Sequence, residues 1–204
     1  PEVMARLTAR TEAAARAGRI PVTLGGEHSL TFGAVMGVVR ALDKAVGVVQ
    51  IDAHADLRVA YEGEAHSHAS VMHLLAEEGI RLAQFGVRAL SREESESRAR
   101  NGVFWRDAEE LVTDRIHRIE LPEDFPELVY VSFDLDGLDP SQMPATGTPV
   151  PGGLDYYQSL HLVETALKGR RCVGIDVVEL APDGNAAWDF TAAQIAYRLM
   201  AACL

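Results

Sequence analysis

The chain has 204 residues, 48% of them hydrophobic, and carries 19 Lys and Arg against 30 Asp and Glu for a formal net charge of −11. That length is enough for one domain with a sizeable core. The negative balance excludes a nucleic-acid or anionic-membrane surface built from clustered Lys and Arg, and no apolar stretch has the length needed to cross a bilayer.

Residues 1–18 read as an Ala- and Arg-rich helix ending at Gly18, and 20–24 as a strand closed by Gly25-Gly26. Residues 30–43 have a helical pattern. The strongly β-branched run 45–51 is what a parallel strand covered on both faces requires. A helix over 69–79 stops at Gly79, and 82–87 is the next strand. Residues 91–100 form a charged helix, with Ser91 as N-cap and Glu94 completing a capping box. A short strand at 103–105 and a helix over 107–117 follow. Then come a strand at 128–133, a helix over 155–168 that stops at Gly169, a strand at 172–178 and a closing helix at 187–203.

This alternation predicts an α/β fold, a three-layer sandwich with a mostly parallel central sheet and helices on both faces. In such sheets ligands bind beyond the C-terminal ends of the strands, and each unusual polar cluster in this chain falls there. The stretch from Pro140 to Gly153 holds Pro140, Pro144, Pro149 and Pro151 among several glycines. A stiff irregular loop of that length suits the wall of a pocket. Cys172 and Cys203 lie far apart in sequence and read as small core residues, neither a disulfide nor a thiolate metal site. With no secretory signal pattern at the N-terminus, the expected location is the reducing cytoplasm.

Two clusters carry the chemistry: Asp52-Ala53-His54-Ala55-Asp56, and Ser132 to Pro140, which contains Asp134 and Asp136. Each ends an apolar strand. Alternate residues of an extended chain point to one side, so Asp52, His54 and Asp56 are expected to converge, as are Asp134 and Asp136. Carboxylates gathered in this way need a cation among them. Gly25-Gly26-Glu27-His28-Ser29 adds an imidazole at a third strand end. A histidine such as His28, taken alone, is more often simply hydrogen-bonded than a ligand. The mixed oxygen and imidazole set suits two divalent ions, with manganese a reasonable compromise, and such a pair lowers the pKa of water toward neutrality.

In this order, Gly-Gly-Glu-His-Ser, Asp-Ala-His-Ala-Asp and Ser-Phe-Asp-Leu-Asp-Gly-Leu-Asp-Pro resemble the three signatures of the ureohydrolase family, which includes arginase, agmatinase, guanidinobutyrase and formiminoglutamase. The resemblance runs from about Pro21 to the end of the chain. It implies two Mn2+ per chain, one held by His28 and Asp56 and the other by His54 and Asp136, with Asp52 and Asp134 bridging. It further implies attack on a guanidinium carbon by a metal-bridging hydroxide that Asp56 orients, and release of urea and an amine. Glu179, ending Gly174-Ile175-Asp176-Val177-Val178-Glu179, matches a substrate-binding glutamate. Asp176 could stand behind the ligands. His68 best matches a histidine that moves protons to the leaving amine, with His66 two residues away.

The segments Asp56-Leu57-Arg58, Tyr61-Glu62-Gly63, Ser67-His68 and Gly147-Thr148-Pro149 are most similar to bacterial agmatinases. Agmatine, cleaved to urea and putrescine, is therefore the expected small guanidino substrate. Guanidinobutyrate, arginine and formiminoglutamate are the alternatives, and a metal-binding, non-catalytic interaction subunit is the alternative of another class. Family analogy implies a homo-oligomer, a trimer or hexamer. Residues 1–204 read as a single ureohydrolase domain that begins later than the family's usual N-terminal portion.

Overall fold

The computed structural model describes residues 2–204. In chain order the elements are α1 (Glu2–Arg16), β1 (Val22–Leu24), α2 (Leu30–Leu42), β2 (Val46–Ile51), α3 (Val71–Glu77), β3 (Arg81–Phe85), α4 (Arg92–Arg100), β4 (Phe104–Arg106), α5 (Ala108–Thr113), β5 (Leu128–Asp134), α6 (Tyr156–Ala166), β6 (Arg171–Val178) and α7 (Ala186–Ala202). Short 3-10 turns cover His68–Ser70 and Leu135–Gly137. Each predicted helix and strand forms. β1 is shorter than its sequence pattern because Pro21 has no N–H for the ladder. The capping box of α4 is present in full: Glu94 N–H donates to Ser91 Oγ, and Ser91 N–H to the Glu94 carboxylate.

The six strands form one parallel sheet in the order β1-β6-β5-β2-β3-β4. From β2 the chain builds outward through β3 and β4, and from β5 it builds the other way to β6. A crevice therefore opens between the C-terminal ends of β2 and β5. Every residue of β2 and β5 is buried, because helices cover both faces. Val49, Ile51, Val131 and Phe133 point into one apolar core with Leu160 and Ile195. Val46, Val48 and Tyr130 point into the other with Val35, Val38 and Met72. Alternation along the strands separates the two cores.

On the second face the apolar pattern stops one step before the strand ends. Thr23, Asp176, Ser132, Gln50 and Gln84 lie side by side in register across five of the six strands. Two residues farther along the same face stand Asp52 after β2 and Asp134 on β5. A polar row thus underlies the carboxylates.

The two cysteines are not separate core residues. The end of α7 folds back over the start of β6, bringing the Cα atoms of Cys172 and Cys203 within 5.1 Å, and the two form a disulfide. Their wide sequence separation had hidden a close contact between the last helix and the strand it covers. Among the described residues no helix is long and apolar enough to cross a membrane.

Candidate metal centre

His28 follows a turn in which Gly25 and Gly26 take φ of +76° and +84°, a region glycine enters without a Cβ penalty. The turn is tied to β6: Gly25 N–H donates to Val177 O at 2.8 Å and Glu179 N–H to Gly26 O at 3.0 Å. The imidazole, 1% exposed, reaches across to β5, where Nε2 lies 2.9 Å from Ser132 Oγ. Ser132 gives its only proton to Asp176 Oδ1 at 2.8 Å, so it accepts from Nε2–H. Nδ1 is then the nitrogen left to bind an ion.

Nδ1 faces Asp52 Oδ2 at 3.1 Å, Asp56 Oδ2 at 3.0 Å and Asp134 Oδ2 at 3.1 Å. Nδ1 is nevertheless without a hydrogen-bond partner. A second group stands beside the first. His54 Nδ1 lies 3.1 Å from Asp136 Oδ2 and 3.5 Å from Asp52 Oδ1. Asp52 therefore turns one oxygen toward each histidine. His28, Asp52 and Asp56 form one potential donor set, and Asp52, His54 and Asp136 another.

Extended alternation is not what gathers these ligands. Beyond Ile51 the chain leaves the strand, and Asp56 takes φ of +53°. Its carbonyl accepts from Met72 and His73 N–H at 3.0 and 3.1 Å, satisfying open donors at the start of α3. Leu57 N–H donates to Glu94 Oε1 at 3.2 Å. Asp134 ends β5, whereas Asp136 sits in the following 3-10 turn and donates its N–H to Asp134 Oδ1 at 2.8 Å. Tight turns, not a continuing strand, bring both clusters in. A Cβ on Gly137 would meet Asp52 N at 2.9 Å, so the turn can lie against β2 only with glycine there.

The charges show the need for cations. Burial and the neighbouring charge of Asp52 push the Asp56 carboxyl up to about 7. Burial, Asp52 and Asp136 push Asp134 well above the carboxylate range. Burial alone would lower the two imidazoles. The carboxylates outweigh it, raising His28 well above its ordinary value and His54 to about 11. Buried carboxylates gathered this closely are the setting that divalent ions stabilise. Donor atoms about 3 Å apart match ligands at right angles around an ion bound at roughly 2.1 Å, and the unpartnered Nδ1 of His28 is aimed into that space. The residues fit a pair of divalent ions.

A cleft of about 470 Å3 adjoins the centre, lined by His54, Asp56, Arg58, Tyr61, His68 and Thr148 among others. His68 packs edge-on against Tyr61. His66 stands against Phe32 instead, with ring centroids 6.4 Å apart. Glu179 follows β6 with φ of +64°, and its Oε1 accepts from His28 N–H at 2.6 Å. Burial raises its carboxyl above the usual value, opposed by that hydrogen bond. The Pro- and Gly-rich loop forms a wall, as its composition implied. Thr148 donates to Asp136 Oδ2 at 3.1 Å, and Arg88 holds Val150 O at 2.7 Å.

Sequence reading missed Gln50, Gln84, Ser132, Arg88 and Glu94 as parts of this centre and left Asp176 only as a group behind the ligands. A usable signal existed: Gln50 and Ser132 are polar residues inside buried strands, each two positions before a ligand carboxylate.

The Arginase family model matches residues 1–203. The chain belongs to the arginase family. An N(1)-aminopropylagmatine ureohydrolase of Thermus thermophilus is 42% identical over 190 residues, covering 89% of this arginase-family chain and 62% of its own length. The chain thus spans about three fifths of that relative. The agmatine ureohydrolase of Thermoplasma volcanium superposes with a TM-score of 0.79 at 32% identity, covering 98% of this chain and 68% of its own. An arginase from Medicago truncatula gives a TM-score of 0.83 at 32% identity over 96% of this chain and 65% of its own. These likenesses bear out the arginase-like three-layer α/β fold.

Proposed function

We propose that this arginase-family chain is a binuclear manganese hydrolase that cleaves agmatine to urea and putrescine. The observation that carries the reading is Asp52, which presents Oδ2 to the His28 group and Oδ1 to the His54 group. His28 and Asp56 would hold one ion and His54 and Asp136 the other, with Asp52 and Asp134 shared. When bound, the ion pair neutralises the carboxylates and lowers the pKa of water, so that a hydroxide nucleophile is available near neutral pH. Asp56, on the cleft wall, would orient that nucleophile. Glu179 offers a carboxylate to the planar guanidinium. His68 faces the same cleft with an imidazole suited to passing a proton to the departing amine. The sum is addition of water across one C–N bond: oxygen goes to the guanidino carbon and a proton to the amine.

The same reading takes residues 1–204 as a single domain of a homo-oligomeric cytoplasmic enzyme, in whose reducing surroundings the Cys172–Cys203 pair would be held open. A second substrate, N1-aminopropylagmatine, is favoured by the name of the 42% identical Thermus relative. It presents the same guanidino group on a longer amine.

The test is urea release by the manganese-loaded protein from agmatine, N1-aminopropylagmatine, guanidinobutyrate and arginine in parallel. Urea from agmatine at the highest kcat/KM is expected. Preference for the aminopropyl compound would select the second reading, and no urea from any of the four would overturn both. Glu179→Gln should raise KM about 10- to 100-fold, the worth of a charge-assisted hydrogen bond, with metal content unchanged. Unaltered kinetics would remove Glu179 from the site.

A further inference from the structure

Arg98 lies on α4, a helix whose sequence reads as a solvated charged surface, yet its side chain is 2% exposed. Nε donates to Gln84 Oε1 at 2.9 Å. Nη1 donates to Asp107 Oδ1 at 2.8 Å, and the guanidinium stands 5.6 Å from the Trp105 ring centroid. Gln84 Nε2 donates to Gln50 Oε1 at 2.6 Å and to Ala55 O at 2.7 Å. Gln50 Nε2 in turn donates to Asp52 Oδ2 at 2.6 Å, with His54 O at 3.4 Å. A buried chain of hydrogen bonds thus runs from Arg98 to the carboxylate that faces both histidines.

The direction of this chain is set at one end. A guanidinium can only donate, so Gln84 must turn its oxygen toward Arg98 and its NH2 toward Gln50. Gln50 must then turn its own NH2 toward Asp52. Reversing Gln50 would set a carbonyl oxygen against the Asp52 carboxylate, and reversing Gln84 would set one against Gln50 Oε1 and Ala55 O; in a buried site either clash is costly. The same two amides tie down the carbonyls of His54 and Ala55. From the same helix, Glu94 holds Leu57 N–H. α4 therefore clamps the ligand loop at both ends.

We propose that Arg98, acting through Gln84 and Gln50, is a positioning residue of the metal centre. It fixes the polarity of the amide chain that orients Asp52 with one oxygen toward each ion. The proposal rests on the binuclear reading of the site.

The decisive variant is Gln84→Glu in the full chain. It keeps the shape and the acceptor for Arg98 but removes both amide hydrogens, and it forces Gln50 to turn its oxygen toward Asp52. Mn2+ affinity, followed by the electron paramagnetic resonance signal of free ion, is expected to fall about 10- to 100-fold while the metal-free protein keeps its fold, as read by circular dichroism. Arg98→Met should show the same loss, and Arg98→Lys, which still donates to Gln84, should recover most of it. Affinity within twofold of wild type in Gln84→Glu, or Arg98→Lys no better than Arg98→Met, would overturn the proposal. If Arg98→Met does not fold, Gln84→Glu and Arg98→Lys still decide it. A wild type that binds two Mn2+ but releases no urea, with the variant losses intact, would sink the enzymatic reading alone. A wild type that binds no Mn2+ would sink both.

Discussion

A buried histidine can ligate an ion only through a nitrogen that holds no proton, and in His28 that choice is made by Ser132. Replacing Ser132 by Ala removes the acceptor for Nε2–H and takes a donor from Asp176, which burial already holds above its ordinary pKa. The imidazole would be free to rotate or to change tautomer. Ser132→Ala is therefore expected to lower Mn2+ affinity about tenfold and to destabilise the fold by about 1–2 kcal/mol. Isothermal titration and thermal unfolding read the two effects separately, and unchanged affinity would show that ring orientation is set elsewhere. At this scale the ligands themselves were legible, because His28, Asp52, His54, Asp56, Asp134 and Asp136 occupy short motifs at strand ends. Gln50 carried a signal two positions before Asp52, but Gln84 and Arg98 carried none. No ligand follows Gln84 along its strand, and a burial of Arg98 that depends on the sheet edge cannot be seen along one helix.

Among the elements, the loop from Pro140 to Gly153 shows how irregular backbone is made rigid. Arg88 donates to five carbonyls, those of Gly86, Asp136, Gly137, Leu138 and Val150, joining the end of β3, the Asp136 turn and the loop. Arg88→Met should cost about 3 kcal/mol, since the charge-assisted bonds are lost and the carbonyls of the buried Gly86, Asp136, Gly137 and Leu138 lose this donor. KM should rise as well, because the loop carries Thr148 into the cleft. A normal melting temperature would place the loop's rigidity in its prolines. Asp139 pins the other side, accepting from the N–H groups of Ser141, Gly152 and Gly153. Slight burial raises its carboxyl, but these hydrogen bonds prevail and lower it to about 2. A depressed carboxylate contributes stability that is present above its unfolded pKa of about 3.9 and is lost as pH falls through the folded value. The melting-temperature gap between wild type and Asp139→Asn should thus be full above about pH 4 and close toward pH 2. A gap independent of pH would mean that the carboxylate's charge plays no part. The loop's place in the wall was legible from its prolines, but its two anchors were not, since Arg88 lies some 60 residues before the carbonyl it holds.

For the molecule as a whole, alternation of elements was enough to predict layers and a parallel sheet, but not the strand order. Order depends on which strands meet, and the pairing of β2 with β5 spans a wide gap in sequence. The same blindness to distant contact hid the Cys172–Cys203 pair. That disulfide links β6 to the end of α7 across 31 residues. Closing a loop of that length removes unfolded-state freedom worth about 3–4 kcal/mol on a chain-entropy estimate. Cys172 lies at the N-terminal end of β6, and the metal ligands lie beyond the C-terminal ends of the strands. At about 3.3 Å per residue, the length of the strand separates the two. Reduction with dithiothreitol, or Cys203→Ser, should therefore lower the unfolding temperature of the metal-free protein and leave Mn2+ affinity unchanged. Loss of affinity would mean that β6 transmits its N-terminal anchoring to Asp176 and Glu179. An unfolding temperature indifferent to reductant would mean that the thiols stay unpaired in solution, and would restore the reading of both cysteines as core residues.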